Sequence, residues 1–358
     1  MRPLRVCLVA STRFPVREPF AGGLEALTHA LARGLVARGH SVSLFAARGS
    51  DPSLPVEHLA ASDLSVSAAA RADVSAASER WMADHHAYLG LMLDLARGGE
   101  QRFDIVHNNS LHHLPVAMAD ALPVPVVTTL HTPPTPWLES AVALADSSPV
   151  FTAVSHFTAQ SWRHIVPSTP ILNGVDTEMW PLGPGGGPAV WSGRLVPEKA
   201  PHEAIDAARA AGVPLVLAGP MLDSRYFEEY VAPRLGSEVN YVGHLDHARL
   251  ATLLRMASVA LVTPAWDEPY GLVAAEAMAC GTPVAAYARG AMPEIVSSES
   301  GVLAIPHDIP DLARAVIEAR ECDRAAVRAH AVEHCSQQRM VDEYLQFYDK
   351  QLSGSVAA

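Results

Sequence analysis

Hydrophobic residues in the first half of the chain recur in short runs, separated by amphipathic stretches. The run at 6–10 predicts a buried strand, and leucines at helical spacing over 23–38 predict a helix that ends at Gly39. Further strand-like runs lie at 42–46, 104–107, 124–130 and 150–155. Residues 50–80, rich in Ala and Ser, predict a loop and a surface helix. This alternation predicts a parallel sheet covered by helices on both faces.

A Gly-Pro-Gly-Gly-Gly-Pro loop at 183–188 interrupts the pattern, which then begins again. The loop lacks the Lys-Ser/Thr pair and helix start of a phosphate-binding P-loop. Strands are predicted at 189–193, 215–219, 239–243, 259–263 and 284–287, with a helix from Pro201. We therefore expect two Rossmann-like α/β domains facing each other across a deep cleft, with the site at the carboxyl ends of the strands.

Composition and charge exclude several classes of protein. Hydrophobic residues make up 49% and charged residues 18%, which is enough apolar material for a core. The net charge is −12, and residues 1–168, with 12 basic and 14 acidic side chains, are not basic either, so we expect no nucleic-acid partner. There is no apolar run of about 18 residues and no signal-peptide pattern at the start. The cysteines show no disulfide or metal-ligand spacing, so we expect a cytoplasmic protein: Cys7, Cys280, Cys322 and Cys335.

Two carboxylates in the segment 264–283 are the strongest candidates for ligand binding. Glu268 lies in a loop after a predicted strand, and Glu276 lies inside a helix that begins near Gly271. The alternative is a pair of solvated surface side chains. However, Ala and Met flank Glu276, which predicts a buried carboxylate that needs partners. Two carboxylates beside the amides of a helix N-terminus suit the hydroxyls of a sugar.

Two cations and a glycine pair are further candidates. Arg194 and Lys199 follow a predicted strand, and together they could hold a diphosphate. Two unrelated surface cations are the alternative, but Lys199 is one of only two lysines in the chain. Gly22 and Gly23 open the first helix and would let a ligand approach the backbone, although a glycine pair taken alone favours a simple turn. Without a G-x-G-x-x-G motif, a nicotinamide dinucleotide site is poorly supported.

Histidines form the last group of candidates. His131 ends a predicted strand in a Thr-Leu-His-Thr sequence, where a structural role is the alternative to a functional one. His107, His112 and His113 lie close together in the sequence, but their spacing fits no standard zinc site. The chain contains no Asp-x-Asp pair. We therefore expect no metal.

The order of these motifs resembles the retaining glycosyltransferases of family 4, which have the GT-B fold. After the Gly-Gly loop come GLVARGHSVSLF at 34–45, DIVH at 104–107, TLHT at 129–132, AVS at 153–155, NGVD at 173–176, GRLVPEK at 193–199 and EPYGLVAAEAMACGTPV at 268–284. The resemblance covers nearly the whole chain. It implies a nucleotide-diphosphate sugar as donor, of the UDP type, and no cofactor.

The resemblance also assigns residues to roles. Arg194 and Lys199 would hold the diphosphate, Glu276 the ribose, and Glu268 the transferred sugar. The residues implied in catalysis are His131, Glu268, Arg194 and Lys199. Those implied in donor binding also include Gly22, Gly23, Gly193, Gly243, Tyr270, Gly271, Leu272 and Glu276. The expected acceptor residues are Asn109, Thr132 and Trp137.

The resemblance implies domains at 1–168 plus 339–358 and at 169–338, with a last helix that crosses back to the first domain. We expect a soluble small-molecule acceptor, such as an antibiotic or other secondary metabolite or an oligosaccharide intermediate. A membrane lipid is the alternative acceptor, although the first half lacks the basic surface that favours membranes. A nucleotide-sugar epimerase on the same fold and a non-catalytic nucleotide-sugar-binding protein are the alternative functions.

Overall fold

A computed structural model describes residues 2–59, 64–145 and 149–355 of the chain. Its first sheet has seven parallel strands in the order β3-β2-β1-β4-β5-β6-β7. They are β1 (Arg5–Val9), β2 (Ser41–Ala46), β3 (Val56–His58), β4 (Ile105–Asn108), β5 (Val126–Leu130), β6 (Val150–Ala153) and β7 (Thr169–Pro170). The central strands are buried on both faces, which explains why they appear in the sequence as continuous apolar runs.

The helices around this sheet are α1 (Gly23–Ala37), α2 (Ala68–Arg71), α3 (Glu79–Arg102), α4 (Leu114–Ala117), α5 (Pro136–Leu144) and α6 (His156–Trp162). Helix α1 was predicted from its leucine spacing. The stretch 50–80 contains the short surface helix α2, as predicted, and also the short strand β3, which was not predicted. Its residues 60–63 lie outside the described part of the chain. Helix α3 was not predicted, because polar residues interrupt its apolar face.

The second sheet has six parallel strands in the order β10-β9-β8-β11-β12-β13. They are β8 (Ala189–Ser192), β9 (Leu215–Ala218), β10 (Val239–Tyr241), β11 (Ala260–Val262), β12 (Val284–Tyr287) and β13 (Gly301–Ala304). Its helices are α7 (Pro201–Ala210), α8 (Ser224–Tyr226), α9 (His247–Met256), α10 (Leu272–Ala279), α11 (Met292–Ile295), α12 (Ile309–Ala319) and α13 (Arg324–His334). The strand order reverses between β1 and β4 and between β8 and β11, and ligands bind outside such reversal points.

The last helix, α14 (Gln337–Ser355), crosses back to the first domain, as the resemblance implied. Arg38 Nε of α1 donates a 2.8 Å hydrogen bond to Asp342, and buried Tyr348 hydrogen-bonds His107 of β4 at 2.5 Å. The predicted domain boundary at 168 falls just before β7, which pairs with β6 and so extends the first sheet. Residues 356–358 of the predicted crossover segment lie outside the described residues.

Direct hydrogen bonds hold the two domains together beside the cleft. Ser155 Oγ of the first domain donates to the carbonyl oxygen of Pro269 at 2.6 Å. The Glu294 carboxylate of the second domain accepts from the backbone amides of His156 and Phe157, at the start of α6. These contacts connect the domains directly, in addition to the two chain crossings. No helix in the described part of the chain combines the length and the apolar composition needed to span a membrane.

Candidate active site

A cavity of about 630 Å³ lies between the two domains, at the carboxyl ends of both sheets. This volume is in the range of small-molecule sites. The predicted residues that line it are Gly22, Gly23, His131, Thr132, Gly193, Arg194, Lys199, Glu268, Tyr270, Gly271, Leu272 and Glu276. Folding therefore brings together residues that are up to 254 positions apart in the sequence, from Gly22 to Glu276.

Glu276 is a buried carboxylate on the wall of this cavity. It lies in α10 among small apolar residues and is only 7% exposed. Burial raises the pKa of its carboxyl group from 4.5 to about 7, because the charged form loses its hydration. Helix α10 begins after Gly271, whose φ of 98° is in the left-handed region that favours glycine. The site thus holds a carboxylate that a pair of ligand hydroxyls could stabilise.

Glu268 and Lys199 form a contact that the sequence did not predict. The Lys199 ammonium donates directly to Glu268 Oε2, and Trp266 Nε1 donates to the same oxygen at 3.1 Å. Lys199 Nζ also lies 5.3 Å from the centre of the Trp266 ring. The side chains were expected to bind different parts of a donor. Here they neutralise each other, so a bound diphosphate would have to compete for the lysine.

Arg194 follows β8 and lines the cavity, on a loop that passes close to a second backbone segment. Its guanidinium lies 3.7 Å from Glu198 and keeps 25% of its side-chain exposure. The loop that carries it passes close to Gly219, where an added Cβ would lie 1.7 Å from the carbonyl oxygen of Gly193. Only glycine allows this approach. This close approach places the Arg194 guanidinium, which has free hydrogen-bonding capacity, at the end of strand β8.

Gly22 and Gly23 form the opposite wall, at the start of α1. A Cβ on Gly23 would lie 3.2 Å from the Leu272 side chain of the second domain, so the two domains meet closely here. Glu25, in the first turn of α1, lines the same cavity and is buried, which raises the pKa of its carboxyl group. Nearby Arg194 and Arg13 oppose that shift. A buried acid therefore faces the cation of the other domain.

His131 and its neighbours form an uncharged part of the first-domain wall. Burial lowers the pKa of His131 to about 3, so the imidazole is neutral near pH 7. Its Nε2 lies 2.8 Å from Asn109 Oδ1, an acceptor, so this nitrogen carries the proton. The Asn109 amide nitrogen and the Thr132 hydroxyl are buried without a hydrogen-bond partner. Of the two residues, Thr132 lines the cavity, so its hydroxyl is available to a ligand.

Three predicted residues stand outside the cavity wall. Gly243 lies behind it, where its carbonyl accepts from the Gly219 amide at 2.9 Å, so it shapes the loop and does not line the site. Asn109 is buried behind His131. Trp137 lies on α5, outside the cavity lining, with 59% of its surface exposed.

The histidines do not group as their order in the sequence implied. His107 turns inward and hydrogen-bonds Tyr348 and a β5 threonine. His112 and His113 instead meet His85 of α3, and their ligand atoms lie within 4.8 Å of one another. His107 is separated from the other histidines because its position inside β4 points the ring into the core.

Sequence reasoning missed several residues of the site. Glu25, Trp266, Gly219 and His244 all line the cavity. Each lies beside a predicted motif or at the end of a predicted strand, so loop position was a usable signal. His85 had no such signal, since the helix that carries it was not predicted.

Comparison with known proteins agrees with this architecture. The family described as "Glycosyltransferase Family 4" matches residues 21–179, and the family described as "Glycosyl transferases group 1" matches residues 188–334. Glycogen synthase of Mycobacterium tuberculosis is 30% identical in an alignment of 388 positions that covers 95% of this chain and 91% of that protein. D-inositol 3-phosphate glycosyltransferase of Mycolicibacterium smegmatis is 34% identical over 172 residues, covering 45% of this chain and 39% of that protein.

Solved structures share the fold across the whole chain. AviGT4, a glycosyltransferase involved in Avilamycin A biosynthesis, has a TM-score of 0.71 at 24% identity and covers 98% of this chain and 99% of its own. Anabaena Alr3699/HepE, solved with UDP and glucose, has a TM-score of 0.73 at 20% identity and covers 97% and 99%. Because the family matches cover both domains and the glycogen synthase match spans nearly the full length, this chain belongs to the family 4, group 1 glycosyltransferases with the GT-B fold.

Proposed function

We propose that this glycosyltransferase moves a sugar from a UDP-type nucleotide sugar to a hydroxyl of a small-molecule acceptor, with retention of anomeric configuration. One observation carries the proposal. A single interdomain cavity gathers Arg194, Lys199, Glu268 and Glu276 from the second domain and sets them opposite His131 of the first. Cations for a diphosphate and carboxylates for hydroxyls are the groups that a nucleotide sugar needs.

The diphosphate would lie between Arg194 and Lys199. When its oxygens take the lysine ammonium, the Glu268 carboxylate loses its present partner and becomes free to accept hydroxyls of the transferred sugar. Binding thus exchanges one ion pair for another, so the buried carboxylate is never left without a hydrogen-bonding partner. In the transition state the two cations stabilise the charge that develops on the departing diphosphate.

The nucleoside would occupy the cavity beside Glu276. A ribose diol supplies two hydroxyl donors, and a buried carboxylate with a raised pKa gains most from such donors. The Anabaena protein was solved with UDP-glucose and with UDP, which favours a uridine nucleotide among the candidates.

In the transfer step, the bond between the anomeric carbon and the diphosphate oxygen breaks, and a bond to the acceptor oxygen forms on the same face. The acceptor proton passes to the departing phosphate oxygen, so the balance requires no protein nucleophile and no resident metal. Neutral His131, with Nε2–H held by Asn109, would orient the reacting groups by hydrogen bonding.

The acceptor is proposed to be a small molecule. The orphaned Thr132 hydroxyl, on the cavity wall, offers an uncharged hydrogen bond beside the reaction centre. AviGT4 is described as acting in Avilamycin A biosynthesis, which agrees with decoration of a secondary metabolite. We propose that the reaction takes place in the cytoplasm, in keeping with four free cysteines.

Thermal unfolding with UDP, GDP and ADP tests the donor, because ligand binding to the native state raises the melting temperature. Mass spectrometry of acceptor mixtures incubated with the preferred nucleotide sugar then distinguishes the functions. A mass gain of one sugar on a soluble acceptor supports the proposal, and a gain on a lipid identifies the alternative acceptor. Conversion of the donor without any mass change would indicate an epimerase. Turnover should persist in EDTA, and its loss with recovery on added magnesium would contradict the metal-free mechanism.

A further inference from the structure

Five stacked rings form a surface on the first domain, beside the cavity. Trp81 stacks on His85 with ring centres 5.1 Å apart and planes at 10°, and Trp137 stacks on His113 at 5.2 Å and 25°. His112 stacks on His113 at 4.4 Å and 22°. We call this surface the aromatic platform, made of Trp81, His85, His112, His113 and Trp137.

The aromatic platform continues the first-domain wall of the cavity outward. Leu111, which lines the cavity, directly precedes His112. Under His112 lies the ring of Tyr88, at 4.3 Å, and the Tyr88 hydroxyl donates to the carbonyl of Ala10 and accepts from the Thr12 amide at the end of β1. These bonds tie the platform to the end of the strand next to the reaction centre.

The platform offers flat apolar faces and uncharged hydrogen-bonding atoms. Trp137 keeps 59% of its surface exposed, although large apolar surfaces are usually covered. His85 Nδ1 is buried without a partner. Burial, followed by repulsion from neighbouring histidines, lowers the pKa of His112 to about 3 and that of His113 below its usual value. These two imidazoles are therefore neutral, and a phosphate or carboxylate would gain no ion pair with them.

A metal ion fits this arrangement less well. Ring lone pairs lie in the ring planes, so the nearly parallel rings of His112 and His113 do not direct their nitrogens at one point. His112 Nδ1 already accepts from the Leu114 amide at 3.2 Å, which leaves the proton on Nε2. A metal would require both rings to rotate and that bond to break.

We infer that the aromatic platform binds the body of the acceptor, and that this body is a neutral saccharide. The C–H face of a sugar ring stacks on the exposed indole ring of Trp137, and its edge hydroxyls bond to the neutral imidazoles. The saccharide then extends to Thr132 and His131, where its reacting hydroxyl meets the donor. This inference rests on the proposed function and names the acceptor class for it.

The test measures saccharide binding to the full-length protein with UDP present. Glucose, maltose and maltotriose serve as probes. Their binding is monitored by saturation-transfer NMR and by tryptophan fluorescence. Trp137→Ala should weaken binding about tenfold and leave UDP binding unchanged, because stacking on one exposed ring is lost. His113→Ala removes the ring that supports Trp137 and should also weaken binding. Leu144→Ala, which changes a residue with 83% exposure on the same helix, is the matched control and should bind like the wild type.

Several outcomes would overturn the inference. One is that UDP binds while none of the three saccharides does. Others are unchanged binding in Trp137→Ala, or tighter binding of glucose 6-phosphate than of glucose. Tight zinc binding that is lost in His85→Ala, without any saccharide binding, would identify a metal site instead. Absence of UDP binding contradicts the proposed donor, so failure of the function and failure of the platform are distinguishable.

Discussion

The two walls of the cleft offer a ligand different kinds of contact. The second-domain wall is ionic, with Arg194 beside Glu198 and Lys199 paired with Glu268. The first-domain wall near the platform is stacked and largely neutral, with histidines whose pKa values are lowered by burial. An ionic wall suits a diphosphate that every donor of this type carries. A wall of ring faces and orphan hydrogen-bonding groups suits an acceptor recognised by shape. The ionic second-domain wall can therefore be constant among relatives while the first-domain wall varies.

The largest effect should come from removing a cation of the ionic wall. Lys199→Ala or Arg194→Ala should lower turnover roughly 30- to 1000-fold, since about 2–4 kcal/mol of stabilisation of the leaving group is lost. Steady-state kinetics measure the loss of turnover, and thermal unfolding checks that the variant is still folded. Arg225→Ala, at a guanidinium 86% exposed far from the cavity, is the control. Saccharide binding at the platform should stay unchanged in both variants. Near-normal turnover in Lys199→Ala would show that the lysine has no part in the proposed mechanism.

Glu276→Gln should separate ligand binding from stability. The folded-state pKa of about 7 exceeds the ordinary value of 4.5, so the folded protein binds more protons between these values. Stability should therefore fall as the pH rises through this window, by up to about 3 kcal/mol. Glutamine removes that dependence and should raise the melting temperature near pH 8, while weakening UDP binding about tenfold through lost charged hydrogen bonds.

Calorimetric unfolding and UDP titration at several pH values check this prediction. Glu318→Gln, an exposed change on α12, should leave both quantities as in the wild type. If Glu276→Gln keeps the pH dependence of the wild type, another group carries it. Undiminished UDP binding would show that the carboxylate does not hold the nucleotide.

Tyr348→Phe tests whether the first-domain wall depends on α14. The change removes the hydrogen bond to His107 and leaves a buried imidazole nitrogen unpaired. We expect a loss of about 1–3 kcal/mol in the free energy of unfolding, with UDP binding retained. Tyr230→Phe, at a residue 45% exposed, should cost little. Denaturant unfolding measures the free energy of unfolding of both variants. Equal values for the two would count against a supporting role for α14.

Salt should have the smallest effect, and it should act on one wall alone. Raising the ionic strength from about 0.05 to about 0.5 M should weaken UDP binding a few-fold, because screening weakens the contacts between cations and diphosphate. Stacking of a neutral saccharide should not respond. Titrations of both ligands across the salt series measure this difference, and an equal response of both would show that the walls do not differ as described.

The ionic wall could be predicted from the sequence, and the aromatic platform could not. The residues of the ionic wall lie in two short segments, GRLVPEK and EPYGLVAAEAMACGTPV, each directly after a strand. Because parallel strands end at one edge of a sheet, spacing alone placed Arg194, Lys199 and Glu268 together. The platform draws on α3, the β4–α4 loop and α5, and nothing in the spacing of Trp81 and Trp137 connects them.

The sequence by itself determined the two parallel sheets and the motifs that supply twelve of the residues lining the cavity, and its resemblance to family 4 implied the helix that crosses back. The sheets follow from local periodicity and the motifs from short runs of residues, both of which depend on neighbours along the chain. Only the tertiary structure decided that Lys199 and Glu268 neutralise each other, that His107 faces Tyr348 and that His85 joins His112 and His113. Side-chain pairing depends on rotamers and on distances between separate elements, and the order of residues along the chain specifies neither.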